Sequence, residues 1–187
     1  MRWDGLFADL EAQLAQGQWQ DTEAEAAEMT RGERAGVTLA DRIRGALGAA
    51  LSVQLGDGER LRMTVSTVGE AWLGGHDDGG SLLVNLDAIL AVDAALATAT
   101  PEHSPGRRRL GIASAYRTLS RARAGVVVFG REGRSLGEGT IDRVGRDHFD
   151  LAVHPRDEHR RGRNVRGLRV IPFSAVQVVR SAHASSV

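Results

Sequence analysis

The stretch Leu51-Ser52-Val53-Gln54-Leu55-Gly56-Asp57-Gly58-Glu59-Arg60-Leu61-Arg62-Met63-Thr64-Val65 decides the reading of the fold. Leu51, Val53 and Leu55 alternate with polar residues, Gly56-Asp57-Gly58 interrupts them, and Leu61, Met63 and Val65 alternate again. A period of two places successive side chains on opposite faces of a strand, and the glycines supply the backbone freedom of a tight reversal. The segment therefore predicts a β-hairpin with one buried face. Beyond it, Val68-Gly69 opens a turn into Ala71-Trp72-Leu73, and the tip His76-Asp77-Asp78-Gly79-Gly80 reverses the chain again. Leu82-Leu83-Val84 and Ala88-Ile89-Leu90-Ala91-Val92 complete five short strands.

The same order of turns and apolar residues occurs a second time. Val126-Val127-Val128-Phe129 leads into Gly130-Arg131-Glu132-Gly133, and Leu136 to Val144 ends in Val144-Gly145 as the first set ends its second strand in Val68-Gly69. Ala71-Trp72-Leu73 corresponds to Asp147-His148-Phe149 at a spacing of 76, and Val84-Asn85-Leu86-Asp87-Ala88-Ile89 to Ile171-Pro172-Phe173-Ser174-Ala175-Val176 at a spacing of 87. The 11 extra residues fall in one loop, Pro155 to Gly167.

Each set follows a helical pattern. Thr38 caps a helix whose expected buried row is Leu39, Ile43 and Leu47 and whose stop is Gly48, with Asp41 in the capping-box position. Ile112, Ala115, Tyr116 and Leu119 form the row before the second set. Trp3, Leu6, Phe7, Leu10 and Leu14 line one face of a helix at the start of the chain, and Glu23 to Arg34 reads as another, acidic first and basic last as a helix dipole prefers. Pro101, Pro105 and Gly106 mark a linker. The expected organisation is a helical segment over 1–36, a first barrel with its leading helix over 37–93, a linker over 94–109, a second barrel with its leading helix over 110–180, and a flexible tail over 181–187.

A helix followed by five bent strands resembles the Sm/Hfq-like fold among the SH3-like barrels, over roughly residues 38–93 and 108–180. The fold class expected is thus α+β, N-terminal helices followed by two tandem helix-plus-five-stranded Sm/SH3-like small barrels. The opening Met1-Arg2-Trp3-Asp4-Gly5-Leu6-Phe7-Ala8-Asp9-Leu10-Glu11-Ala12-Gln13-Leu14 resembles a group of uncharacterised actinobacterial proteins, some labelled Fis-family regulators. Leu110 to Arg121 looks like the turn and recognition helix of a Fis-type helix-turn-helix, but Pro101, Pro105 and Gly106 leave no room for the helix that must precede the turn. The Tyr-Lys-His of the Hfq-type uridine pocket is replaced by Asn85-Leu86-Asp87 and Pro172-Phe173-Ser174, so the resemblance implies the fold and not that site.

The 187 residues carry 24 arginines, no lysine, 24 acids and no cysteine, which excludes disulfides, thiolate-bound metal and a cysteine nucleophile. Neutrality hides a division: residues 1–100 hold 16 acids and 7 arginines, a balance of −9, and residues 101–187 hold 8 acids and 17 arginines, a balance of +9. A basic half attracts polyanions whatever the net charge. No apolar run is long enough to span a bilayer and no signal peptide opens the chain, so no membrane association and a cytoplasmic location are expected. His148, His154 and His159 with Asp147, Asp150 and Asp157 are the densest metal-capable group, but their spacing matches no ligand motif, and neither a metal nor a cofactor is assigned. His76-Asp77-Asp78 reads as turn chemistry, and with no phosphate loop, nucleophile elbow or zinc-protease motif no catalytic residue is assigned and no enzyme is expected.

Two binding classes fit. The first is nucleic-acid binding, RNA in preference to DNA, through Arg156, Arg160, Arg161, Arg163 and Arg166 of the inserted loop, read as a mobile arm, with Arg107, Arg108 and Arg109 as a second cluster. The second is an assembly or adaptor role, with the acidic helices and basic barrel engaging transcription or RNA-processing machinery. Unpaired strand edges and the apolar face of Trp3, Leu6, Phe7, Leu10 and Leu14 also predict a homo-oligomer.

Overall fold

Alternation of apolar and polar residues becomes burial on one face wherever a strand forms. In β1 (Ala50–Leu55) the residues Leu51, Val53 and Leu55 are buried, and in β2 (Arg60–Val68) Leu61, Met63 and Val65 are. Each such side chain removed from water contributes roughly 1.5–3 kcal/mol. The reversal between them is closed by hydrogen bonds from Leu55 N to Glu59 O (3.0 Å) and from Gly58 N to Leu55 O (3.0 Å), with Gly58 at φ 83°, where a side chain would strain the backbone. The computed structural model describes residues 35–181 except 57, 95, 105–110, 156, 157 and 159. The chain divides into two compact units, Met1–Thr38 and Leu39–Val187, and all the described strands belong to the second.

The first set continues with β3 (Trp72–Asp77), β4 (Gly80–Asn85), a single 3₁₀ turn at Leu86–Ala88 and β5 (Ile89–Asp93), which returns to pair with β1. The second set is β6 (Gly125–Gly130), β7 (Ser135–Val144), β8 (His148–Val153), β9 (Gly167–Pro172), a 3₁₀ turn at Phe173–Ala175 and β10 (Val176–Ser181), which returns to β6. Corresponding turns use corresponding bonds: Gly69 N donates to Trp72 O and Gly145 N to His148 O, both at 2.8 Å, while Leu86 N donates to Ala71 O and Phe173 N to Asp147 O. The helix α1 (Leu39–Arg44) belongs to the first set, and α2 (Ile112–Arg121) packs on β7.

The expectation of two tandem Sm/SH3-like barrels is overturned by the pairing. The ten described strands form one open antiparallel sheet in the order β5-β1-β2-β3-β4-β10-β6-β7-β8-β9. Neither set closes on itself, because the fourth strand of the first set takes the fifth strand of the second as its partner, Val84 opposite Val178 and Leu82 opposite Arg180. The junction is part of the core: Val178 of β10 packs among the residues of the first set, and Leu83 of β4 among those of the second. The helical row is corrected too. Ala40 and Ile43 are the buried residues of α1, whereas Leu39, its first residue, is exposed, and Leu47 is exposed beyond the helix end at Arg44. The segment 96–104 runs back along α1, where Arg42 donates to Leu96 O (2.8 Å), Thr100 N donates to Asp41 O (2.9 Å) and Leu96 is buried. Among the described residues no helix is long and apolar enough to cross a membrane.

One ion pair spans the junction. Asp77 at the β3–β4 tip accepts hydrogen bonds from Arg180 Nη1 (2.7 Å) and Gly79 N (2.8 Å). Burial, the largest single influence, pushes its carboxyl up, but the bonds from Arg180 and Gly79 together outweigh it and hold the group below its ordinary 3.8. A folded value below the unfolded one means that the stabilisation is complete above the ordinary carboxylate range and lost as pH falls through the folded value. Because both side chains are partly open to solvent, Asp77→Asn is expected to cost roughly 1 kcal/mol or less. Its melting temperature should also fall less than the parent's between about pH 6 and about pH 3. Identical acid dependence in the two proteins would remove the pair from the account.

Candidate nucleic-acid interface

Three arginines of the basic half line one cleft near the end of α2. That helix turns Ile112, Ala115, Tyr116 and Leu119 toward the core and leaves Arg117 and Arg121 exposed. It ends at Ala122, after which Arg123 N donates to Ser120 O (3.1 Å) and Ala124 N to Leu119 O (3.2 Å), the pair of bonds of a Schellman cap. The residue at the left-handed position of such a cap is usually glycine, yet Arg123 occupies it with φ 49°. A side chain there costs on the order of 1 kcal/mol.

Beside this cap, β7 slips register against β8 between Ile141 and Arg143, with Asp142 at the irregularity. The carboxylate of Asp142 accepts two hydrogen bonds from Arg160, Nε to Oδ1 at 2.6 Å and Nη2 to Oδ2 at 2.7 Å. That contact pushes the Arg160 guanidinium further up from its ordinary value. Ser120, Arg123, Thr140, Ile141, Asp142, Arg143 and Arg160 line a cleft of about 250 Å³. Three guanidiniums against one carboxylate give the cleft a positive balance.

The inserted loop is tied to this cleft. Besides the Arg160–Asp142 pair, Asn164 N donates to Arg161 O (2.9 Å) and Arg166 N to Val153 O (2.8 Å), so the described part of the loop has turns and anchors where the sequence suggested a mobile arm. Arg161, Arg163 and Arg166 are exposed, and among the described residues no ion pair forms at any of them or at Arg123 and Arg143. Arg107, Arg108, Arg109 and Arg156 lie outside the described residues, as do Trp3, Leu6, Phe7, Leu10 and Leu14. Arg123, Arg143 and Ser120 are additions that the sequence reading missed. The one signal for Arg123 was a helical row ending at Leu119 with no glycine before the strand at Gly125.

The buried imidazole of His154 holds the start of the loop. Its Nδ1 lies 2.8 Å from Pro155 O, an atom that can only accept, so Nδ1 carries a proton. In the neutral ring Nε2 then accepts from the Thr140 hydroxyl at 2.8 Å. Both nitrogens are therefore committed to hydrogen bonds. His148 Nδ1 lies 2.8 Å from Asp147 Oδ1, and that contact holds the Asp147 carboxyl below its usual range. His159 and Asp157 lie outside the described residues, and among the described ones no three metal-ligating side chains gather.

A second cleft, about 380 Å³, draws on the 3₁₀ turns Leu86–Ala88, Arg131–Gly133 and Phe173–Ala175 and is lined by Asn85, Asp87, Arg131, Glu132, Ser174 and Gln177 among others. Two carboxylates against one guanidinium make it a poor place for a phosphate. No protein-family model, no curated protein and no solved structure matches the chain.

Proposed function

We propose that this chain is a non-enzymatic protein that binds single-stranded nucleic acid, RNA in preference to DNA, through the basic cleft beside α2 and the exposed arginines of the adjoining loop. The observation that carries the reading is Arg123, an arginine in a backbone conformation that favours glycine, on a cleft shared with Arg143 and Arg160. Strain kept at a surface position is a mark of function, because glycine would relieve it at no structural cost. The cleft has room for a phosphodiester and its sugar, and guanidiniums bind phosphate oxygens with paired hydrogen bonds. The Ser120 hydroxyl lines the same cleft and is suited to a ribose 2′-hydroxyl. The cleft's carboxylate is held by Arg160, which fits binding without a general base.

Arg123→Gly tests this, because strain and binding predict opposite changes. Thermal stability should rise by roughly 0.5–1 kcal/mol as the left-handed strain is relieved. Affinity for a fluorescent oligonucleotide, read by anisotropy across a salt series, should fall, and the slope of log affinity against log salt should flatten by roughly 0.7 for the lost phosphate contact. Replacing Arg161, Arg163 and Arg166 together with alanine should flatten it by about 2 while weakening all sequences alike. Unchanged affinity and slope in both variants would transfer the basic surface to the adaptor reading.

A further inference from the structure

We propose that copies of this chain associate head to tail, β9 of one pairing with β5 of the next in the register that β4 and β10 use inside the chain. The chain joins its own two strand sets through a fourth strand and a fifth: Val84, Leu83, Leu82 and Ser81 of β4 lie opposite Val178, Val179, Arg180 and Ser181 of β10. The edges left over are the other fourth strand and the other fifth, β9 and β5. Residues of β9 follow those of β4 by 87 positions, and residues of β10 follow those of β5 by the same number. The internal junction therefore has an unused duplicate, in which Ile171 lies opposite Ala91, Val170 opposite Val92, and Arg169 opposite Asp93.

Three observations support this duplicate. At two positions what is buried at the junction is bare at the edges: Leu83 is 9% exposed and its counterpart Val170 60%, and Gln177 is 5% exposed and its counterpart Leu90 67%. Apolar residues left open along an unpaired edge invite another strand. The charges also match, since the register sets Asp93 against Arg169, and opposite charges on facing strands attract. Both side chains remain available: Asp93 meets Arg60 at 3.2 Å in an exposed pair, and Arg169 only reaches the carbonyl of Leu136. Finally, the β4–β10 junction shows that this sequence accepts a fourth strand beside a fifth without a covering loop. The contact joins two different surfaces, so it propagates until a ring closes or continues as a filament.

The test is sedimentation or light scattering of the full chain without nucleic acid, across concentrations up to about 100 µM. The parent should show masses at multiples of 20.0 kDa. Asp93→Arg and Arg169→Asp should each weaken association by about tenfold, because each sets like charges face to face. An equimolar mixture of the two variants should associate again: one junction between them restores the native Asp93–Arg169 pair, and the other carries the same pair with its charges exchanged. Far-UV circular dichroism and melting curves of each variant show whether the fold is retained, and recovery in the mixture cannot come from unfolded chains. A parent that stays monomeric overturns the proposal. So does an effect of only one variant, which points to a symmetric β9–β9 or β5–β5 contact, and so does a mixture that fails to recover.

Discussion

Replacing Phe149 with alanine is expected to cost roughly 3–5 kcal/mol and to lower the melting temperature by roughly 10 °C. Phe149 is fully buried on β8, its ring centroid 4.9 Å from that of Tyr116 and 6.3 Å from that of Phe173, and the Tyr116 and Phe173 rings are themselves 4.9 Å apart. These three rings come from α2, β8 and the 3₁₀ turn before β10, so one cluster fastens helix, sheet and the return strand together. Burial pushes the Tyr116 phenol up, as an apolar surrounding must. Removing the Phe149 ring forfeits its transfer free energy and leaves a hole that neighbours held by the sheet cannot fill. Phe149→Leu keeps most of the volume and should cost only about 1–2 kcal/mol. An alanine variant within 1 kcal/mol of the parent, outside the roughly 3–5 kcal/mol expected, would mean that the ring cluster does not hold α2 on the sheet.

The features legible in the sequence were those fixed by neighbours along the chain. Val126 and Val128 are buried as their alternation requires, and Glu132 and Gly133 take positive φ in the turn after them, at 60° and 66°. Closure was a different matter. Whether β4 pairs with β5 or with β10 is a choice between strands of similar pattern, and hydrophobic period does not rank them. The pairing found matches Leu82, Leu83 and Val84 with a return strand of which four successive residues are buried. The row of α1 failed for a local reason. Leu47 counts toward it only if the helix continues past Arg44, and the Thr98 carbonyl sits 2.4 Å from where a Gly45 Cβ would be, so the returning segment occupies that flank.

The site was legible as charge and not as geometry. Arginine abundance after residue 101 is plain in the sequence, and so is the loop that carries five of them. Which arginines share a cleft depends on the β7–β8 register, since Arg160 reaches Asp142 across 18 residues. Arg160, grouped with the free arm in the sequence reading, proves to be the residue that fastens it. Arg143 reads in sequence as one alternating polar position among several, and only the irregularity beside Asp142 brings it to the cleft.

Gly139→Ala is expected to cost on the order of 4 kcal/mol or more and to empty the folded state in mild denaturant. Gly139 lies inside the sheet, opposite Val126 on one side and Val153 on the other, so neither neighbour can retreat without breaking a ladder. Its φ of 149° belongs to a region that is essentially glycine's, and a side chain there costs roughly 1–3 kcal/mol by itself. The added methyl would also stand 1.8 Å from the carbonyl oxygen of Ala152 and 3.1 Å from His154 N, both backbone atoms. The hydrogen bond from His154 N to Glu138 O (3.1 Å) runs beside it, and the His154 ring in turn holds Thr140 and Pro155. The damage should therefore reach the cleft: oligonucleotide affinity and melting temperature are expected to fall together. Gly162→Ala in the arginine loop is the matched control, because nothing lies within 4 Å of its added Cβ and its φ is ordinary, so its stability should stay within about 0.5 kcal/mol of the parent. Urea denaturation of the two variants side by side decides the matter. A Gly139→Ala protein as stable as the Gly162→Ala one would show that β7 does not pass this close to β8.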